Sequence, residues 1–482
     1  MGRARLGSGV AAAAVILVAG CGSRAAKATQ QPPSSAAATS SPATPVPASA
    51  SSRPAAGISA PWPEYHANQA RTGAVPAGAS LANATKAWAA DLGGAVYGQP
   101  LIADGRIIAA TETNRVVALR PSDGKALWSA SLGAPLTNVQ SAAGCGNVDP
   151  LGITSTPVID TATGTVYVVG EVADGSTVHH QLEGLSIATG AVTLSENVDP
   201  PLPSGESPVH LLQRASLALA NGRVYVSYGG NYGDCGSYHG WVVGVDKTGA
   251  AHKISFEVAS DGEGGAIWQA GGAPAIDSGG NLYVTTGNAN PNPPEGGPDP
   301  KQYTESVVKL TPDLKPLASF KDRVAGGDED LSTGNPVLLP DGTLFAAGKT
   351  DIGFVLRQSD LSQKAAIKGI CGSDPDGGPA YDAAANRIFV PCQQGGIQVI
   401  DLTTDQAVQV LSGANSGPIL IGASLWAAQY SAGTLTEYDA ATGKTRQSLS
   451  VGSSVPNFTS PSYGLGLLLV GTTSGVTALH GS

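Results

Sequence analysis

A short pattern returns eight times along the chain: a Pro or small residue, two apolar residues, a turn rich in Gly or Asn, then an apolar pair, usually with an aromatic second member. The pairs are Ile107-Ile108, Val166-Tyr167, Val224-Tyr225, Leu282-Tyr283, Leu344-Phe345, Ile388-Phe389, Leu425-Trp426 and Leu467-Leu468. Their second members are separated by 59, 58, 58, 62, 44, 37 and 42 residues. A partner run opens upstream of each pair, at Pro100, Pro157, Ser216, Pro274, Pro336, Pro379, Pro418 and Pro461. Short strands repeating about every 40 residues are the signature of propeller blades. The predicted fold is all-β: an eight-bladed β-propeller with four-stranded antiparallel blades.

The first unit shows the order. Strands are expected at Leu101 to Ala103, Arg106 to Thr111, Arg115 to Leu119 and Ala126 to Leu132, with Asp123-Gly124 turning the third into the fourth. Thr189-Gly190, Thr248-Gly249 and Thr442-Gly443 repeat that turn. The eighth unit stops at Leu479, without a fourth strand. Lys86-Ala87-Trp88-Ala89-Ala90-Asp91-Leu92-Gly93 reads like the first unit's own fourth strand, Lys125-Ala126-Leu127-Trp128-Ser129-Ala130-Ser131-Leu132-Gly133. An N-terminal strand is therefore expected to complete the last blade, leaving no unpaired edge.

Composition changes this picture little. Gly 64 and Pro 34 suit a turn-rich ring. Charged residues are 13%, the net charge is −10 and no basic cluster occurs, which argues against nucleic acid as a partner.

The first residues point to export. In residues 1–21, Arg3 and Arg5 precede an apolar run from Val10 to Ala19, followed by Val18-Ala19-Gly20-Cys21. That ending resembles the bacterial lipobox, which implies cleavage before Cys21 and a diacylglycerol anchor holding the protein to the cell membrane. The apolar run is too short to span a bilayer. Residues 22–60, mostly Ala, Ser, Pro and Thr, are expected to form a disordered tether. The propeller is expected over 61–482. Four further cysteines allow three pairings. Their places in the repeat predict disulfides between Cys145 and Cys235, on neighbouring blades, and between Cys371 and Cys392 within blade six.

Two readings of function follow from the loops. The connections between strands two and three, and those between blades, share one face and are long, so a ligand is expected there, over the ring axis. Trp62-Pro63-Glu64-Tyr65-His66 with Arg71-Thr72-Gly73, and Val117-Ala118-Leu119 through Trp128, resemble the quinoprotein (pyrroloquinoline quinone, PQQ) dehydrogenase propellers and their non-enzymatic relatives. Gly264-Gly265-Ala266-Ile267-Trp268 with Thr286-Gly287-Asn288 resembles the dehydrogenase segment that stacks the cofactor and binds calcium. The resemblance implies that Trp268 stacks on PQQ and that Lys349 contacts it. It implies Asn288 and Asp234 as ligands of Ca²⁺ and Asp330 as the catalytic base. The chain departs from the dehydrogenase pattern too: no adjacent Cys-Cys pair occurs, Glu329-Asp330 replaces Trp-Asp, and no C-x-x-C-H is present. The leading expectation is a lipid-anchored module of the cell envelope that binds a protein or small molecule on the loop-rich face. The alternative is a PQQ- and calcium-dependent dehydrogenase that oxidises an alcohol or sugar outside the membrane.

Overall fold

Eight sheets follow one another around a ring, each built on four antiparallel strands, seven of them taken in sequence order and the last completed from the N-terminal side; two of the eight carry an added short strand. The computed structural model describes residues 61–75, 81–175, 177–294, 301–323, 326–372 and 374–481. The leader, Cys21 and the tether lie outside these residues. Blade one comprises Leu101–Ala103, Arg106–Ala110, Arg115–Leu119 and Ala126–Ser131, one residue shorter than expected at the ends of its second and fourth strands. Its three inner strands are buried apart from the leading Arg106 and Arg115, whereas Ala126–Ser131 has only exposed and half-buried residues. The difference follows from position: inner strands are covered by both neighbouring blades, and the outermost strand faces solvent on one side.

Thr85–Asp91 pairs antiparallel with Gly475–His480, with Asp91 opposite Gly475 and Thr85 opposite His480. The eighth blade thus takes its outermost strand from the N-terminal side, and the ring closes as the sequence predicts. The likeness between the two Trp-containing segments has a packing cause. Trp88 donates from Nε1 to the Pro121 carbonyl at 2.8 Å, and Trp128 to the Ile187 carbonyl at 2.8 Å, each reaching the next blade. The Trp rings lie on Gly124 and Gly190, where a Cβ would fall 2.5 and 2.6 Å from a ring carbon. Both glycines have positive φ, +69° and +74°. Tryptophan and glycine are therefore one docking device between adjacent blades.

A feature absent from the repeat pattern binds the ring together at its axis. The segment from Trp62 to Val75 passes from blade to blade along the innermost strands. Trp62 bridges Ile102 of blade one, and the carbonyl of Pro63 accepts from the Ile159 amide of blade two. The carbonyls of Gln69, Ala70, Thr72 and Gly73 accept from Ile276, Leu338, Tyr381 and Leu420, on blades four to seven. Ala74–Val75 then adds a parallel strand to Ile419–Ile421. Arg71, fully buried, bonds Glu64 at 2.6 Å and the Pro274 carbonyl at 3.0 Å, fixing this clasp in its turn.

Both expected disulfides are present, Cys145–Cys235 and Cys371–Cys392, with Cα separations of 5.8 and 5.5 Å. The first ties the link between blades one and two to the long loop of blade three. No helix among the described residues is long and apolar enough to cross a membrane.

Candidate functional site

Links and loops from around the ring converge on a cavity of about 890 Å³ over the axis on the loop-rich face. Trp268, Asp234, Asp330 and Lys349 all line it, and Asn288 does not. Two of the lining residues are placed by the same local device. Trp268 immediately precedes the one-turn 3-10 helix Gln269–Gly271, between blades three and four, and Asp330 immediately precedes Leu331–Thr333, between blades four and five. A tight turn after each residue leaves its side chain at the inner rim rather than among the strands.

The polar groups are largely satisfied by one another. Lys349 Nζ lies 2.7 Å from Asp328 Oδ1 and 3.5 Å from Asp330 Oδ2. Asp330 Oδ1 accepts the Asn288 backbone N–H at 2.9 Å. The Asn288 side-chain amide donates to Asn292 Oδ1 and to the Gly327 carbonyl. Asp234 Oδ1 accepts the Tyr238 hydroxyl at 2.6 Å. Burial raises the carboxyls of Asp330 and Asp234 above the usual carboxylate range; Lys349 offsets part of this for Asp330, and the Tyr238 hydroxyl for Asp234. The two neighbouring aspartates hold the Lys349 ammonium above its ordinary value against the opposing effect of burial.

Three charged lining residues, Arg214, Asp374 and Asp376, lie outside the site that the resemblance implies. Arg214 is almost fully buried yet crosses the mouth of the ring. Its Nη1 donates to the Thr154 carbonyl at 2.9 Å and its Nη2 to the Asn457 carbonyl at 3.0 Å. The guanidinium stands 5.4 Å from the centre of the Tyr97 ring and 5.3 Å from that of Phe458. Phe458 in turn makes a T-shaped contact with Trp268 at 5.5 Å between centroids. The repeat does carry a signal for Arg214. Two residues before each strand opening the other blades have Gly98, Ser155, Gly272, Gly334, Gly377, Ser416 and Thr459, and only blade three has a long side chain.

Asp374 and Asp376 form the opposite wall. Their Asp-Pro-Asp-Gly run reads as a plain turn in sequence. In the fold, Asp376 donates its amide to the Pro391 carbonyl and Pro375 bridges Cys392, which presses the turn against the strand carrying the disulfide. Asp376 is 2% exposed and its Oδ2 has no hydrogen-bond partner. Burial, then the charge of Asp374, pushes its carboxyl up to about 7.

The donor set does not match a calcium site as the resemblance implies it. Asp234 lines the cavity while the Asn288 amide is spent outside it, and among the described residues no three carboxylate, imidazole or thiol groups converge to hold a metal ion. Trp268 also makes an edge contact with Phe458, 5.5 Å between ring centres.

The ring with its axial cavity is an eight-bladed β-propeller. Residues 71–291 match the family described as PQQ_2, outer membrane protein assembly factor BamB. Among solved structures, quinohemoprotein alcohol dehydrogenase from Comamonas testosteroni is 16% identical, with 87% of this chain and 80% of that chain covered and a TM-score of 0.65. A europium-containing methanol dehydrogenase is 14% identical, with 86% and 90% covered and a TM-score of 0.67. BamB from Moraxella catarrhalis is 13% identical, with 82% and 99% covered and a TM-score of 0.55. At such identities the likeness to these structures shows the fold alone. No curated protein matches the chain. The partial family match and these neighbours are consistent with a propeller built of PQQ-like repeats.

Proposed function

We propose that the protein is a lipid-anchored binding module of the cell envelope, which receives a small molecule or a partner protein's side chains in the axial cavity. One observation carries this reading: the groups that a quinoprotein dehydrogenase would turn toward its cofactor are engaged by other groups of the protein. Lys349 is held by Asp328 and Asp330, Asp330 by the main-chain N–H of Asn288, Asp234 by Tyr238, and Trp268 packs against Phe458. Such a cavity is rigid and polar, with aromatic walls, and suits recognition. The leader ending at Cys21 and the tether support a place outside the membrane. The match to an outer membrane assembly factor supports an envelope role of the binding kind.

The dehydrogenase remains a second reading because Trp268, Asp330, Lys349 and Asp234 do share one cavity. Adding PQQ and Ca²⁺ at micromolar concentration to the purified full-length protein separates the two. No quinone absorbance and no dye reduction are expected. A quinone spectrum that disappears in Trp268→Ala would replace the binding module with the enzyme.

The anchor is tested by itself. In cell fractionation the wild-type chain should sediment with membranes, and Cys21→Ala should move to the soluble fraction or stay as an uncleaved precursor. Unchanged membrane association with normal processing would remove the lipid from this proposal.

A further inference from the structure

The cavity carries more negative charge than its own cations neutralise. Asp234, Asp328, Asp330, Asp374 and Asp376 line it against Lys349 and Arg214. Lys349 is committed to Asp328 and Asp330. Arg214 gives an N–H from each terminal nitrogen to a main-chain carbonyl and lies over the Tyr97 and Phe458 rings. Asp374 and Asp376 are thus left facing the cavity without an ion-pair partner of their own, and Asp376 Oδ2, in a residue only 2% exposed, accepts no hydrogen bond. A buried acceptor of this kind costs free energy unless something donates to it.

The rest of the lining narrows the donor. A bare metal ion is a poor occupant, because the acidic groups do not converge and the volume far exceeds one ion. Aromatic surface is abundant at the rim and floor: Trp268, Phe458, Tyr97 and the 69% exposed Tyr232, on the loop that Cys145–Cys235 pins. Aromatic faces and carboxylates together favour a cation on an apolar stem.

We infer that the axial cavity is a receptor for an organic cation, a primary amine or guanidinium on an aliphatic stem, with its charged head donating to Asp376 and Asp374 and its stem lying against Trp268 and Phe458. This rests on the reading of the cavity as a binding site. It adds the chemical class of what binds. A free polyamine and a basic side chain of a peptide share that chemistry.

Calorimetry on the full-length protein tests it with 1,8-diaminooctane against its neutral counterpart 1,8-octanediol. The diamine should bind and the diol should not. Asp376→Asn should weaken the diamine roughly tenfold or more, the effect expected for one charge-assisted hydrogen bond. Asp374→Asn, more exposed and safer for folding, should weaken it in the same direction. Binding should also tighten as pH rises from 5.5 to 8. Asp376 faces Asp374, Lys349, Arg214, Gln393 and Tyr430, and its carboxyl must ionise to meet a cation. Tighter binding of the diamine than of acetyl-lysine amide assigns a free amine, and the reverse a peptide side chain. No diamine binding, equal binding of the diol, or indifference to both substitutions in folded protein overturns the inference. If a neutral or anionic ligand binds and Trp268→Ala abolishes it, the cavity remains a binding site and only the cationic class is wrong.

Discussion

Arg71→Met is expected to destabilise the protein by about 3–5 kcal/mol, the usual cost of leaving one member of a buried ion pair alone. Arg71 has no exposed surface, and Glu64, its partner at 2.6 Å, is itself buried. The same guanidinium donates to the carbonyls of Tyr65, Asn68 and Pro274. Methionine fills much of the space and satisfies none of these acceptors. The loss would be felt beyond the site, because the clasp from Trp62 to Val75 bonds the inner strands of six blades and leads into the strand that closes the eighth. Urea unfolding of Arg71→Met, Glu64→Leu and the double variant forms a cycle. The double variant should recover a substantial part of the loss, since it removes the stranded carboxylate as well. A single variant as stable as wild type would show that the clasp is a passenger on a ring that holds itself.

That clasp also marks where the sequence stops being legible. The blades could be read because the repeat imposes one hydrophobic pattern eight times. The closing strand could be read because Trp88 must do on Gly124 what Trp128 does on Gly190. The clasp has no periodicity: it is held by main-chain carbonyls, which every residue owns, so its residues Trp62 to Gly73 stand out only through a family resemblance. The cavity was legible in half. Trp268, Asp234, Asp330 and Lys349 were brought to mind by local motifs, and the ring gathers them although 115 residues separate Asp234 from Lys349. Asn288 belongs to the same motif but turns its amide to Asn292 and Gly327. Arg214 and Asp376 act across the axis, on partners from distant blades. No local spacing encodes such contacts, and Arg214 becomes visible only when all eight strand openings are compared.

The protein is expected to be more stable at pH 5 than at pH 8, by roughly 2–4 kcal/mol. Burial raises both Glu112 and Asp376 to about 7 in the folded state. In the unfolded chain these groups titrate near 4, so between about pH 4 and 7 the native state holds more protons, and stability falls as pH rises through that window. The opposing group is His66, stacked on Tyr65 at the axis and lowered to about 3, chiefly by burial and then by Arg71. Unfolding lets it take a proton below about pH 6.5, which removes stability as pH falls. These two carboxyls, with Asp330 and Asp234 shifted in the same direction, outweigh the depressed imidazole between pH 8 and 5. Below about pH 4.5 the imidazole and the carboxyls that partners hold low, Asp199 and Asp277 among them, remove stability as pH falls, so stability should pass through a maximum near pH 4.5 and then decline. Chemical unfolding midpoints across this range measure the curve. Asp376→Asn, which fixes that side chain in a neutral form, should gain stability at pH 8, change little at pH 5 and flatten the slope between them. A wild-type maximum at pH 7–8, or an Asp376→Asn variant that loses stability at pH 8, would mean that Asp376 is ionised and well partnered in the native state. The excess negative charge of the cavity would then lack its most strained member.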